Sequence, residues 1–176
     1  MAPTVSPSAN PSQIRGVGGA TPIANVRAMS RMAEIGRMLF FRGLEPQTGE
    51  EPWVSDGKTA RQLQDLAPGQ GSSNPTNFVG FDDRVFMSAL DTNGDRELYW
   101  YNIQDIRDGL PVSATHVPGT GNSLGSRVDH LCVYAGLGPE AIYMGADGPD
   151  EVGNELYRYN GTGGLELVYD LRPSPF

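Results

Sequence analysis

The chain has 176 residues, enough to bury a hydrophobic core, and 38% of them are hydrophobic. Its 23 glycines and 14 prolines, with seven tyrosines and six phenylalanines, favour short strands joined by tight turns and argue against a helical bundle. The single cysteine, Cys132, excludes an internal disulfide framework and any metal site built from several cysteines.

The net charge of −8 is unevenly distributed. Residues 1–42 hold five arginines and one glutamate (+4), whereas residues 43–176 hold eight basic and twenty acidic residues (−12). Because an acidic body repels nucleic-acid phosphates and anionic membranes, we expect it to bind no nucleic acid and the chain not to insert into membranes. The basic N-terminal segment suits an anionic partner, including the acidic body of a neighbouring copy.

Residues 1–28 are predicted to form an extended arm, rich in proline, serine and glycine, that cannot fold alone. The arm lacks the apolar core of a secretory signal, and no run in the chain is long enough to span a bilayer. The sequence therefore predicts a soluble chain without an export signal of its own, or one already processed. The residues expected to anchor the arm in an assembly are Ile14, Arg15, Val17, Ile23 and Arg27.

Residues 24–37, ANVRAMSRMAEIGR, allow two interpretations. A short helix would place Val26, Met29 and either Met32 or Ala33 on one side. An extended segment would instead be the end of the linker followed by the first strand. The sequence leaves both open.

Beyond the arm, three apolar runs of strand length recur. They are RMLFFRG (37–43), RVFMSAL (84–90) and AIYMGAD (141–147). Each is followed by a strand that begins with an acid and has an aromatic residue two positions later. These pairs are Glu51 and Trp53, Glu97 and Tyr99, and Glu155 and Tyr157.

Two further elements recur in the same order around each pair of strands. Those before the apolar runs are SRMAEIG (30–36), TNFVGFDD (76–83) and VDHLCVYAG (128–136), and those that close on proline are QLQDLAPG (62–69), SATHVPG (113–119) and LVYDLRP (167–173). The sequence thus predicts an all-β fold of three propeller-blade-like, four-stranded antiparallel repeats, at 29–75, 76–126 and 127–176, behind the N-terminal arm. The alternative is an ordinary β-sandwich whose strands look alike by chance.

Alternation within the strands supports the repeat interpretation. The side chains expected on one side are Leu98, Trp100 and Leu156, and those expected on the other are Tyr99, Tyr101, Tyr157 and Tyr159. Asp56-Gly57 and Asn160-Gly161 are expected to supply the positive φ of tight turns. Asp65 and Asp170, each three residues before a proline, are expected to accept backbone hydrogen bonds at the blade corner.

The first repeat, GEEPWVSDGKTARQLQDLAPGQGSSNP (49–75), resembles the bacterial ELWxxDGT repeat. The matching elements are Glu51-Pro52-Trp53, Asp56-Gly57, Asp65 through Gly69 and Ser73-Asn74-Pro75. The later repeats look like decayed copies, with tyrosine in place of tryptophan and, in the middle repeat, IQDIRDG in place of the Asp-Gly turn. The resemblance implies propeller-like β-structure, mostly in large bacterial surface or secreted proteins, with no assigned chemistry. The predicted lack of an export signal departs from that setting.

Three blades do not close into a propeller, which needs roughly four to eight. Open sheet edges and bare apolar faces invite aggregation, so we expect an obligate assembly. Two copies could form a six-bladed ring, or the arm or another subunit could cover the faces.

The loop DTNGDRE (91–97) has the oxygen ligands of a weak calcium candidate, with Asp91, Asn93, Asp95 and Glu97 around Gly94. The glycine is misplaced for an EF-hand and the distal glutamate is missing, and an Asn-Gly hairpin turn is the alternative interpretation. Apart from this possible Ca²⁺, no cofactor is expected.

The sequence does not predict an enzyme. It contains no Gly-x-Ser-x-Gly elbow, Walker loop or His-Glu-x-x-His motif, and its two histidines lack zinc-ligand spacing. Cys132, inside an apolar strand, is expected to be buried. The carboxylates recur in register with the repeat, which indicates turn chemistry.

The leading functional hypothesis is a non-catalytic structural protein that assembles through its blade faces and arm with itself, with other subunits, or with both. The expected setting is a virion, as a decoration or tail-associated protein, or else a peripheral subunit of a bacterial complex. The alternative is a recognition module for glycans or proteins. Its candidate stacking residues are Trp53, Trp100, Tyr101 and Tyr159.

Overall fold

The computed structural model describes residues 27–119, 127–136, 138–147 and 154–169, with side chains from residue 32 onward. Within these residues the chain forms twelve strands and one short helix. The strands are β1 Arg27–Ile35, β2 Met38–Glu45, β3 Gly49–Ser55, β4 Ala60–Gln62, β5 Thr76–Phe81, β6 Arg84–Leu90, β7 Arg96–Asn102, β8 Thr115–His116, β9 Asp129–Tyr134, β10 Ala141–Asp147, β11 Asn154–Tyr159 and β12 Glu166–Tyr169. Helix α1 spans Ile103–Arg107.

The strands form three antiparallel sheets of four, each built from consecutive strands in chain order. Sheet 1 contains β1 to β4, sheet 2 contains β5 to β8 and sheet 3 contains β9 to β12. This confirms the predicted all-β class and its three four-stranded antiparallel units. Each predicted repeat contains one sheet, except that β1 begins two residues before the predicted boundary at residue 29.

The sheets pack face to face in chain order, with their first strands adjacent. Strand β5 contacts both β1 and β9, so sheet 2 lies between sheets 1 and 3 where the three first strands meet. One hydrophobic cluster joins sheets 1 and 2, where Phe40 meets Phe78 at a ring-centroid distance of 6.3 Å. A second joins sheets 2 and 3, where Phe86 meets Tyr159 at 5.7 Å. Burial of each such ring stabilises the fold by about 1.5–3 kcal/mol.

The three sheets share one strand register. In the second and third strands of each sheet, the repeated aromatic residue faces an apolar partner, in the pairs Phe41–Trp53, Met87–Tyr99 and Met144–Tyr157. Two residues earlier the repeated glutamate faces a residue with little or no side chain, in the pairs Gly43–Glu51, Ala89–Glu97 and Ala146–Glu155. The repeat read from the sequence is therefore also a repeat of side-chain positions.

The open question about residues 24–37 is settled for the described part, since β1 is a strand and not a helix. It pairs with β2 through a two-residue turn, Gly36-Arg37, in which both residues have positive φ (59° and 65°). A turn of this kind matches the twist of a hairpin, which explains the extended conformation on both sides.

The predicted turn chemistry is present. Asp56 Oδ1 accepts the backbone N–H of Lys58 and Thr59, and Gly57 and Gly161 both have positive φ. Asp65 Oδ2 accepts the N–H of Gly69, as expected for the blade corner, whereas Asp170 lies outside the described residues.

Helix α1 was not predicted. It begins after Asn102, whose side-chain oxygen accepts the N–H of Gln104 and Asp105, and it buries Ile103 and Ile106. The segment IQDIRDG, interpreted from the sequence as a lost turn, is thus a capped helix. Five residues carry too little periodicity to be recognised without the packing that stabilises them.

Candidate assembly faces

Sheet 3 presents an apolar face on the side away from sheet 2. Leu131, Val133 and Ile142 point towards sheet 2, so the side chains between them in the strands point outward. We call this surface the sheet 3 outer face. It consists of Cys132, Tyr134, Tyr143, Leu156, Arg158, Glu166 and Tyr169.

The sheet 3 outer face is largely open. Tyr134 and Tyr169 are 61% and 63% exposed, and Tyr143 and Leu156 are half-buried. Tyr134 packs edge-on against Tyr143, with ring centroids 6.0 Å apart. The four residues of the edge strand β12 are all exposed. Large apolar side chains along an open strand are the usual features of an interaction surface.

The common register shows what this face corresponds to in the other sheets. Tyr143 occupies the position of Phe40 in sheet 1 and of Phe86 in sheet 2, both 0% exposed. Leu156 likewise occupies the position of Leu98, which is fully buried against sheet 3. Positions that sheets 1 and 2 cover with the following sheet are therefore exposed or half-exposed in sheet 3.

Sheet 1 has the opposite outer face, formed by Leu39, Phe41, Trp53 and Ala60. In sheets 2 and 3 the residues equivalent to Phe41 and Trp53 pack on the preceding sheet. Here Phe41 and Trp53 are only 2% and 5% exposed, so the more open apolar surface lies on sheet 3. The indole is in close contact with Gly43, where an added Cβ would come within 2.6 Å of Trp53 Cδ1.

An ion pair crosses the sheet 3 outer face. Arg158 on β11 donates from Nε and Nη2 to Glu166 Oε2 of β12, both at 2.8 Å. The hydrogen bonding and charge of Glu166 raise the pKa of Arg158. Exposed pairs of this kind contribute little to stability, and this one joins two residues that are already partners in the β11–β12 pairing.

Three of the four candidate stacking residues are core residues. Trp53, Tyr101 and Tyr159 are buried, and burial raises the pKa of Tyr101 well above its ordinary value. Trp100 is half-buried, with the Arg84 guanidinium 4.3 Å from its ring centroid. Sugar stacking needs an open ring face, which these buried rings do not offer.

The side chains of the calcium candidate do not converge on one point. Asp91 Oδ1 accepts the N–H of Asn93 and Asp95, which closes a hairpin turn, while Glu97 points to His116 and pairs with its Nε2. Among the described residues, no three His, Cys, Asp or Glu side chains come together as a metal site. Calcium binding stays a prediction without support from this geometry.

The predictions for the arm residues and for Cys132 fared differently. Ile14, Arg15, Val17 and Ile23 lie outside the described residues, and Arg27 begins β1 opposite Leu44. The expectation that Cys132 is buried was wrong, because the thiol is exposed. The apolar neighbours that suggested burial, Leu131 and Val133, take the inward positions of β9 and leave Cys132 on the other face.

Sequence reasoning recognised Glu51 as part of the repeat but missed its role. The carboxylate is 0% exposed and accepts hydrogen bonds from Leu66 N, Ala67 N, Ser73 N and Ser73 Oγ. Through these bonds it holds the 63–73 loop against β3. Desolvation raises the pKa of Glu51, and these hydrogen bonds oppose that effect.

No protein-family model, curated protein or solved structure matches this chain. The resemblance of the first repeat to the ELWxxDGT family therefore stays a prediction. In the part of the chain that the structure describes, no helix is long and apolar enough to cross a membrane.

Proposed function

We propose that this protein is a non-catalytic structural subunit that assembles through its outer sheet faces, chiefly the sheet 3 outer face, into a larger complex. The observation that carries the proposal is the register equivalence of Tyr143 with Phe40 and Phe86. A position that is fully buried twice within the chain, by the following sheet, is only half-buried the third time.

The composition of the sheet 3 outer face supports a partner-binding role. Tyr134, Tyr143 and Tyr169 are amphipathic, so they tolerate water before assembly and bury a large area afterwards. Tyrosine is enriched in the buried centres of protein interfaces. The first partner is a second copy of this chain, to which other subunits of the complex are added, and the N-terminal arm adds a second contact. A virion or a bacterial complex is the proposed setting.

The test is the solution mass of the full-length protein, measured by light scattering over a range of concentrations. We expect a multimer, and we expect the double variant Tyr134→Ser/Tyr169→Ser to be monomeric. Both rings are exposed in the free chain, so their removal leaves the fold intact. Leu110→Ser is the matched control, because Leu110 is 48% exposed but lies after α1, and this variant should stay multimeric.

Two results would contradict the proposal. One is a full-length protein that is monomeric at every concentration. The other is a double variant that associates as tightly as the unmodified chain. A multimer that dissociates when residues 1–25 are removed would add the arm to the interface. Saturable glycan binding by a monomer would favour the recognition module instead.

A further inference from the structure

A cavity of about 600 Å³ lies between sheet 1 and helix α1, away from both outer faces. Arginines from three separate elements line it: Arg37 from the β1–β2 turn, Arg61 from β4 and Arg107 from α1. Met38, Val54 and Ile106 contribute buried apolar surface. Its volume is within the range of small-molecule sites, and apolar walls with a few polar groups are typical of them.

The charge of this cavity contrasts with that of the chain. Residues 43–176 carry −12, yet none of the three arginines forms a salt bridge with a carboxylate among the described residues. Asp56 also lines the cavity, but its Oδ1 accepts the N–H of Lys58 and Thr59 within its own turn. Three positive charges therefore face one negative charge, which favours an anion.

Two of the guanidinium groups are held in place by backbone carbonyls. Arg61 Nη2 donates to the carbonyl of Ile106 at 3.1 Å, and Arg107 Nη2 donates to the carbonyl of Gly36 at 3.1 Å. These bonds join sheet 1 to α1 at the cavity. A guanidinium has five N–H donors, so each group keeps donors for a ligand.

The third arginine occupies a position that its backbone disfavours. Arg37 has φ 65° in a turn where glycine is the preferred residue. Strained non-glycine residues are concentrated at functional sites, where the side chain serves a purpose that glycine cannot. Arg37 is exposed and belongs to none of the hydrophobic clusters of the described residues, and its side chain lines the cavity.

We infer that this cavity binds a small organic anion. The three guanidinium groups take the oxyanion head, a phosphate or a carboxylate, and Met38, Val54 and Ile106 take a ring or another apolar body. Arginine suits this role because its planar fork donates to two oxygens at once. This site is independent of the proposed assembly through the sheet 3 outer face.

The test is calorimetric titration of the full-length protein with four probes. Phenyl phosphate carries head and ring, inorganic phosphate the head alone, phenol the ring alone, and benzoate a carboxylate head. We expect phenyl phosphate to bind one-to-one and at least about tenfold more tightly than inorganic phosphate, and phenol not to saturate. Benzoate binding would identify a carboxylate head and its absence a phosphate head, and both results support an oxyanion site.

Variants separate binding from folding. Arg61→Ala and Arg107→Ala should weaken phenyl phosphate binding roughly ten- to a hundredfold, since each removes a charged hydrogen bond. Because both arginines also hold α1, Arg37→Gly is the decisive variant: it should weaken binding by about tenfold while raising Tm, as it relieves the turn. Lys58→Ala is the matched control, since it removes a neighbouring exposed charge that does not line the cavity.

Four outcomes would overturn the inference. They are the absence of saturable binding of both phenyl phosphate and benzoate, affinity for phenol equal to that of the tighter anion, equal affinity of Arg37→Gly and the unmodified chain, and equal weakening by Lys58→Ala. Equal weakening by Lys58→Ala would show that any nearby positive charge supports binding and that the cavity arginines have no specific role. Equal affinity for inorganic phosphate would overturn the assignment of an organic ligand.

Discussion

Trp53 and Gly43 form a matched pair at the residue scale. Sheets 2 and 3 combine an alanine with a tyrosine at the two equivalent positions, whereas sheet 1 combines a glycine with a tryptophan. The larger ring thus coincides with the smaller partner, because an added Cβ at Gly43 would be 2.6 Å from the indole. The aromatic position of the repeat is therefore a packing position.

We predict that Gly43→Ala lowers the free energy of unfolding by about 1–3 kcal/mol through overpacking. The combination Gly43→Ala/Trp53→Tyr restores the pair found in the other sheets, so it should cost less than the two single changes added together. Urea unfolding of the four chains in a double-mutant cycle measures this coupling. Additive effects would show that the two positions do not contact.

The Glu51 carboxylate gives a second residue-scale prediction. Its pKa is raised in the fold, so the folded state holds the proton more tightly than the unfolded chain, and this group's contribution to stability falls as pH rises from the ordinary pKa through the raised one. Glu51→Gln keeps one acceptor oxygen but turns an NH₂ group towards some of the four donors. We expect a loss of about 1–3 kcal/mol.

The difference in free energy of unfolding between the unmodified chain and Glu51→Gln should become smaller as pH rises. The unmodified chain loses stability as Glu51 ionises, whereas the glutamine variant has no carboxylate to ionise. Urea unfolding from acidic to neutral pH measures the difference. Glu34→Gln, an exposed change on β1, is the control and should leave the free energy of unfolding unchanged. A difference that widens with pH would show that hydrogen bonding outweighs desolvation at Glu51.

At the scale of elements, α1 depends on its cap more than on its length. Asn102 Oδ1 accepts two N–H groups of the first turn, Gln104 at 2.8 Å and Asp105 at 3.1 Å. A helix of five residues has no stability of its own and is held by this cap and by the burial of Ile103 and Ile106.

We predict that Asn102→Ala lowers the free energy of unfolding by about 1 kcal/mol, while Asn102→Asp, which caps equally well, changes it little. Hydrogen exchange should show faster opening of the α1 amides in the alanine variant. Equal protection in both variants would mean that packing alone holds the helix.

How far the sequence predicts each element depends on where its signal lies. The recurring apolar runs predicted the first three strands of each sheet, and alternation supported β7 and β11, since a half-buried strand repeats every two residues. The fourth strand of sheet 1 was expected within residues 62–69 but is Ala60–Gln62. The Asp56-Gly57 turn was predicted because its chemistry is local. The contacts of Glu51 with Leu66 and Ser73 could not be predicted, because they depend on how the loop after β4 returns to β3.

The cavity shows the same limit between elements. Arg37, Arg61 and Arg107 come from a turn, a strand and a helix, and no spacing in the sequence brings them together. Residues 43–176 are acidic on average, as predicted. The packing of α1 against sheet 1 nevertheless creates one cavity whose charged side chains are mainly basic. Site prediction from sequence is limited here by tertiary structure more than by residue chemistry.

At the scale of the molecule, the two ends of the sheet stack differ. Sheet 1 ends in covered aromatic rings, and sheet 3 ends in an open face with three tyrosines. A contact between unlike faces is head-to-tail and closes into a ring or continues as a filament, whereas a contact between two sheet 3 faces stops at a dimer. The mass from light scattering distinguishes these forms.

The order of the strands has a consequence for biosynthesis. Every sheet is a meander whose strands pair with their neighbours in the chain, so the pairing contacts are local. Local contacts lower the contact order and speed folding relative to other β-proteins. Each sheet can form once its fourth strand has left the ribosome, and sheet 1 then offers sheet 2 a finished surface on which to fold.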